Sequence, residues 1–431
     1  MGSEWEYRPL GDCGRWLSGG TPSKRNAAYW NGDIPWISAK AMIGSKFRDS
    51  KLKVTELGVA NGTRMVPKDT LLLLVRGSML HQRIPVGLSA NDVSFNQDVK
   101  ALIPSDDFLP RFLLYWFLAN EPLLLSKVEN TSIGAGRLAT EVLNAIQVPC
   151  PNIGTQRAIA HILGSLDDKI ELNRRMSETL EGMARAIFRS WFVDFDPVRA
   201  KAEGRQPDGM DADTAALFPD SFQDSPLGRI PKAWKVGSVG DIGSNRRHTT
   251  RPEEVEEGTA YIGLEHMPKK CISLLEWGEA SEVSSAKSEV QQGDILFGKL
   301  RPYFHKTVVS PIDAVCSTDI LVLAPSSEHW FGFLLFVVSS DEFVAYTDAS
   351  STGTRMPRTN WRDMARYEIA LPPLELAGEY SAQVSRVVNM IRNNIFQSKT
   401  LAMIRDTLLP KLISGELRVP DAEKLVEEAG L

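Results

Sequence analysis

The chain is written twice, and this limits what it can fold into more than any single motif does. Ile37-Ser38-Ala39-Lys40-Ala41-Met42 matches Ile262-Gly263-Leu264-Glu265-His266-Met267 in its apolar ends. Residues 69–76 (DTLLLLVR) resemble residues 294–301 (DILFGKLR), and both matches sit at a shift of about 225 residues. Residues 96–104 (NQDVKALIP) parallel residues 317–325 (STDILVLAP) at a shift of about 221. Each copy continues with an apolar, helix-like run, from Phe108 and from His329. A small polar loop follows, residues 132–137 or 351–355. Next come a short strand ending at Pro151 or Pro373 and a long helical pattern. Chance matches change shift from one to the next, whereas collinear features with small shift changes indicate duplication with loop insertions and deletions. A period of about 220 residues is far too long for a solenoid. The repeated unit is therefore a whole domain plus a helix.

The two helical patterns have a heptad-like seam. After Thr155 the apolar positions are Ile159, Ile162, Leu166, Ile170, Met176, Leu180, Met183 and Ile187. In the second copy they are Tyr380, Val384, Val387, Ile391, Ile395, Leu401, Ile404 and Leu408. The three-four spacing predicts long amphipathic helices of coiled-coil type. Asn173 and Asn394 fall at matching seam positions, where a buried Asn fixes register and pairing. A helix of ~35 residues is ~50 Å long and leaves its seam bare unless it finds a partner. The other copy is the nearest one, so the pattern predicts an antiparallel pair. Residues 192–234 are rich in Asp, Pro and Gly, have weak periodicity, and read as a long ordered loop.

Composition excludes several classes. No stretch approaches the roughly 20 uncharged apolar residues of a membrane helix. The N-terminus has no basic region followed by an apolar run, so no secretory signal is expected. Cys13, Cys150, Cys271 and Cys316 lie far apart, form no CxxC and share no zinc spacing with His; free thiols and a cytoplasmic location are expected. The net charge of −5 lacks the basic excess usual in nucleic-acid binding. Its distribution is uneven, however. Residues 1–150 carry about 17 basic and 14 acidic groups, while residues 194–228 carry about 3 basic and 8 acidic. Enzyme signatures are missing. Gly134-Ala135-Gly136 opens no dinucleotide-binding unit, no Walker lysine follows a glycine-rich loop, and there is no Asn/Asp-Pro-Pro-aromatic element to hold a flipped base. Asp167-Asp168-Lys169 resembles a fragment of a nuclease site, but lies in the heptad pattern and reads as a solvated charged face.

With these features in place, the chain resembles the specificity subunit of type I restriction–modification systems. The residues carrying the likeness are Gly19-Gly20-Thr21-Pro22-Ser23, Tyr29-Trp30, Ile34-Pro35-Trp36-Ile37, the Asn96-Gln97 strand start, the 192–234 connector and the closing run 408–417 (LLPKLISGEL). The resemblance implies two target-recognition domains, each reading one half of a split DNA sequence, and helices that space them and dock two modification subunits. It implies no cofactor on this chain: S-adenosylmethionine belongs to the modification subunit, and two restriction subunits can join. The second copy departs from the pattern, with Arg246-Arg247-His248-Thr249-Thr250 in place of GGTPS and Ser317-Thr318 in place of Asn96-Gln97.

The expected fold class is α/β (α+β): two similar domains with mixed sheets, separated by an antiparallel pair of long coiled-coil helices. The expected division is recognition domain 1–152, spacer helix 153–192, connector 193–232, recognition domain 233–374, spacer helix 375–418 and tail 419–431. Helix packing is assigned to Ile159, Leu166, Asn173, Leu180, Ile187, Val387, Ile391, Asn394 and Leu401. Base and phosphate contacts want Arg, Lys, Asn, Gln, Ser and Thr on loops beside a rigid sheet. The candidates in the first copy are Lys24, Arg25, Arg76, Ser78, Asn96, Gln97, Ser132 and Arg137. In the second copy they are Arg246, Arg247, Lys299, Arg301, Tyr303, Thr352, Arg355 and Arg358. No catalytic or metal-ligating residue is expected. The competing reading is a coiled-coil scaffold that joins two protein-binding modules and never touches DNA.

Overall fold

The computed structural model describes residues 5–131, 134–280, 285–353 and 356–428. The chain forms two compact units, one from residues 1–170 and 399–431, the other from residues 171–398.

In the first unit the four leucines of Leu71–Leu74 are all fully buried. An uninterrupted apolar run suits a strand covered on both faces. It pairs antiparallel with Val99–Pro104 on one side and Val86–Ser89 on the other. The sheet runs Gly14–Ser18, Val99–Pro104, Leu71–Leu74, Val86–Ser89, Lys46–Phe47, the last joined in parallel. A second sheet, in the order Lys53–Val54, Trp30–Ile37, Val93–Phe95, Met65–Val66, is mixed: Val93–Phe95 runs parallel to Trp30–Ile37 and antiparallel to Met65–Val66. Helix Pro110–Ala119 has Pro in its first turn, where no N–H is needed, and buries Phe112 to Phe117 in the same core.

The second unit repeats this wiring. Its sheets run Gly243–Asn245, Ile320–Pro325, Ile295–Gly298, Thr307–Val309, and Thr249–Thr250, Lys287–Val290, Ala314–Cys316, Ala260–Ile262, Gly278–Glu279. The pairing senses repeat too, including the parallel Tyr261↔Val315 pair that corresponds to Trp36↔Ser94. Alternation along the central strand shows the layers. Ile295 and Phe297 join a core with helix Phe331–Val338, while Leu296 faces the second sheet with Ile262, Val290 and Cys316. In each domain the opening strand pairs with the strand that precedes the long helix: Glu6–Pro9 with Gln147–Cys150, and Lys235–Ser238 with Glu368–Leu371.

Those closing strands lead into helices of 40 residues (Ile153–Phe192) and 41 residues (Leu374–Ser414), each ~60 Å long at ~1.5 Å per residue. In the first unit Ile159, Ile162, Leu163 and Leu166 share a core with Leu401, Leu408, Leu409 and Leu412. In the second, Ala184, Phe188 and Trp191 share one with Tyr380, Val384, Ile391 and Ile395; Leu180, Ile187 and Val387 pack at its margin. The pairing in the second unit is antiparallel and polar at one layer. Asn173, only 1% exposed, donates to Gln397 (2.8 Å) and Ser398 (3.3 Å), and Asn394 donates to Ser177 (3.2 Å). Since Asn394 and Ser398 are the second-copy counterparts of Asn173 and Ser177, the two Asn-to-Ser bonds are reciprocal.

Three features differ from the sequence expectation. Met176 and Met183 face solvent, 38% and 57% exposed. Past Asn173, which the sequence had placed in the seam, the buried line runs through Ser177, Glu181, Ala184 and Phe188, because small and polar residues occupy seam positions that apolar spacing alone overlooks. Asp167 and Asp168 are not a free charged face: Tyr115 and Arg405 bind Asp167 (both 2.7 Å), and Lys46 and Arg111 bind Asp168. Burial, then the Asp167 charge, pushes the Tyr115 phenol well above its ordinary value, so it stays a donor. The connector contains helices Asp196–Ala202, with Pro in its first turn, and Ala212–Ala216, capped by Asp211, followed by the strand pair Phe222–Ser225 and Gly228–Pro231. Phe195 and Phe192 meet Trp234, and Trp191 meets Phe218, so aromatic contacts supply the anchoring that weak periodicity hid.

Asn173→Ala is expected to cost about 1–3 kcal/mol, because it removes the central donor of a buried polar layer. Met183→Ala is expected to change stability by less than about 0.5 kcal/mol. Urea denaturation of both variants checks this, and the reverse order would put the seam on the other face.

Candidate nucleic-acid interface

The candidates of the first domain converge through a chain of bonded neighbours. Gly20 N–H donates to the carbonyl of Phe95 (3.0 Å). A Cβ on Gly19 would lie 2.3 Å from the carbonyl oxygens of Phe95 and Asn96, so only glycine lets the 19–23 loop press this close to the strand end. That approach brings Thr21 to Gln97 (2.5 Å). Next to Gln97, the Asp98 carbonyl accepts from Val75 N–H, and Val75 precedes Arg76. Arg76 stands opposite Arg137 on a short antiparallel ribbon, with Gly77 opposite Gly136. A Cβ on Gly136 would meet Leu80 and Val128 at under 3 Å, so its glycine permits that ladder.

The residues brought together differ in what they are free to do. Arg76, Arg137, Lys24 and Arg25 are exposed, with no ion-pair partner among the described residues. Ser78 and Gln97 are exposed as well. Asn96 is not available: it is buried and closes a turn with Asp98, donating to its carboxylate (3.1 Å) and accepting from its N–H (3.2 Å). Ser132 lies outside the described residues.

The second domain builds the same edge with different chemistry. Lys299 N–H donates to the Asp319 carbonyl, as Val75 does to Asp98, and Arg358 stands opposite Leu300 as Arg137 stands opposite Arg76. Arg301 therefore occupies the place of Gly77, one residue beyond that of Arg76, although the sequence repeat had aligned the two arginines. Its φ of +52° reflects that glycine-like position. Arg358 is paired with Asp319 (3.2 Å) and exchanges backbone bonds with Thr352. Arg246 is held by Gln291 and Asp294, while Arg247 is exposed and unpaired among the described residues. Burial pushes the Asp294 carboxyl up, against the Gln291 amide and the Arg246 charge. Tyr303 is half exposed, and Arg355 lies outside the described residues. Sequence reasoning missed Lys269 and Lys306 beside this loop. Burial, then the Lys269 charge, pulls the Lys306 ammonium below its ordinary value. Neither lysine lies in a matched segment of the repeat, so sequence carried no signal for them.

Among the described residues no group of three His, Cys, Asp or Glu is placed to hold a metal. The cysteines are free, and burial pushes the Cys13 and Cys316 thiols up to about 12 and Cys271 up to about 11, so they are poor nucleophiles. No helix of the described residues is long and apolar enough to cross a membrane.

Known proteins share features of this duplicated chain. Residues 2–182 match the type I restriction modification DNA specificity domain. The chain is 27% identical over 433 residues to the type I restriction enzyme MjaIX specificity subunit of Methanocaldococcus jannaschii, covering 97% of this chain and 94% of that one. It is 23% identical over 473 residues to the HindI specificity subunit of Haemophilus influenzae, covering 96% and 100%. Its fold is similar to the type I restriction–modification S subunit from M. genitalium, with a TM-score of 0.56 and 15% identity over 95% of this chain and 96% of that one. Over nearly its whole length the chain is similar to type I restriction–modification specificity subunits.

Arg76→Ala and Arg137→Ala are each expected to reduce the magnitude of the salt slope of duplex binding by about one. Arg358→Ala should reduce it less, because Asp319 already offsets that charge. Titration of the chain with its modification partner between ~50 and ~200 mM salt measures the slopes. Wild-type slopes in both first-domain variants would remove the ribbon from the interface.

Proposed function

We propose that this chain reads a bipartite double-stranded DNA target, one half with each sheet domain, and that the paired long helices set the gap and dock two modification subunits. The observation that carries this reading is the repeated edge. Each domain ends its central strand at the same turn, beside the same short ladder, with cations on it: Arg76 and Arg137 in one, Lys299, Arg301 and Arg358 in the other. Exposed cations at strand ends supply phosphate contacts that position a protein, and neighbouring loops supply the base contacts that specify sequence. A net charge of −5 is compatible with this because the acidic excess of residues 194–228 lies in the connector.

Docking is supported by the outer face of the first long helix. Leu172, Met176 and Met183 are exposed and, at spacings of four and seven, share one face of a helix. A contiguous apolar stripe of this kind suits a protein partner. Two modification subunits fit a spacer made of two sequence-related helices, and restriction subunits join the same assembly.

The ruler role makes a specific prediction. Removing one turn, ~3.6 residues, from both helices should change the tolerated gap between half-sites and leave each half-site sequence unaltered. Exchanging residues 1–152 for the first domain of another family member should change one half-site only. Sequencing duplexes selected from a random pool by the partnered protein reads both outcomes. An unaltered gap contradicts the ruler, and binding with no salt dependence contradicts DNA reading altogether.

A further inference from the structure

We propose that Tyr303 is a specificity-determining residue: its ring, held rigidly out of the second domain, packs against bases of one half-site. The inference rests on the DNA-reading function proposed above and adds the residue and the chemistry by which the second half-site is read.

The loop that bears Tyr303 joins Ile295–Gly298 to Thr307–Val309 and is fixed at both ends. Arg301 (φ +52°) and His305 (φ +54°) both lie in the left-handed region, which residues with a Cβ rarely adopt unless surrounding structure demands it. The demand is visible. Arg301 N–H donates to the Pro357 carbonyl (2.7 Å), His305 N–H to Pro302 (2.8 Å), and the His305 carbonyl accepts from Lys270 N–H (2.8 Å). The His305 ring is 5% exposed and donates to the Ser339 carbonyl (3.0 Å). Pro302 is buried. Within this clamped turn Tyr303 is 50% exposed. Its ring stands edge-on to Phe304 at 4.8 Å, and Phe304 carries the Lys269 ammonium over its own face at 4.2 Å.

A large aromatic surface held still loses little freedom on binding, so its contact area converts efficiently into selectivity. Flanking cations, Lys269, Lys299 and Arg301, would bring the ring to a phosphate-lined groove. There an apolar ring distinguishes bases through thymine methyl contact or stacking at a deformable step. The equivalent loop of the first domain has no such ring. Gly77, with φ of +147°, opens a turn bearing Ser78, His81, Gln82 and Arg83 at its exposed positions. One topological position thus presents hydrogen-bonding groups in one domain and an aromatic face in the other.

Tyr303→Ala and Tyr303→Phe, each assembled with the modification partner, test the proposal by selection from a random duplex pool. Preference at one or two positions of a single half-site should fall about tenfold for Tyr303→Ala, stay near wild type for Tyr303→Phe, and leave the other half-site unaltered. Unchanged preference in Tyr303→Ala, with the salt-dependent binding of wild type retained, overturns the role of Tyr303 alone. Loss at both half-sites also overturns it, as would loss in Tyr303→Phe equal to that in Tyr303→Ala, which would assign the reading to the hydroxyl. Wild-type protein that binds no duplex at any salt overturns the DNA-reading function itself.

Discussion

The buried contact between the two long helices is the constraint on which the rest of the architecture depends. Each helix follows its domain's closing strand within a few residues: Ile153 comes three after Cys150, and Leu374 three after Leu371. There is little slack between each closing strand and its helix. An all-apolar seam tolerates sliding, because one aliphatic contact resembles the next. The Asn173–Ser398 and Asn394–Ser177 bonds do not, since a slip would strand buried donors. Duplication makes this specificity inexpensive in sequence: one Asn and one Ser per copy provide both halves of the layer.

The same duplication explains how two domains can share a scaffold and differ at their edges. Strand order, pairing sense and the parallel strand of the second sheet are common to both domains. These features bury backbone polar groups and apolar side chains and leave little room for variation. The edge is different. A free Arg76–Arg137 ribbon in one domain becomes Leu300 opposite an Arg358 tied to Asp319 in the other. Solvent-facing loop positions carry few packing constraints, so chemistry can diverge there without disturbing the core.

Much of the fold was legible in the sequence, for reasons tied to particular residues. The leucines at 71–74 and the apolar ends of the repeated segments announced buried strands, and the two mixed-sheet domains with long helices follow from the repeat and the heptad spacing. The phase of the seam past Ile170 was not legible. Beyond Asn173 it passes through Ser177 and Glu181 while methionines face outward, and periodicity ranks apolar residues ahead of polar ones whose partners lie far away in the chain. The candidate edge was legible as a set of loops but not residue by residue. Asn96 is consumed by a turn and Arg246 by an internal ion pair, and the alignment of Arg76 with Arg301 is off by one residue. The last two depend on tertiary neighbours, Asp294 and Arg358, that no local pattern identifies, whereas the Asn96 turn closes locally on Asp98.

If one chain reads two separate blocks of DNA sequence at a distance fixed by its own helices, the bases modified in its presence must carry that spacing. Mapping modified bases across DNA from cells that make this chain with its modification partner tests that claim most directly. The account predicts a single motif of two short, unlike blocks with an unspecified gap of constant length. A continuous motif, two identical blocks in inverted repeat, or a gap that varies from site to site would contradict it.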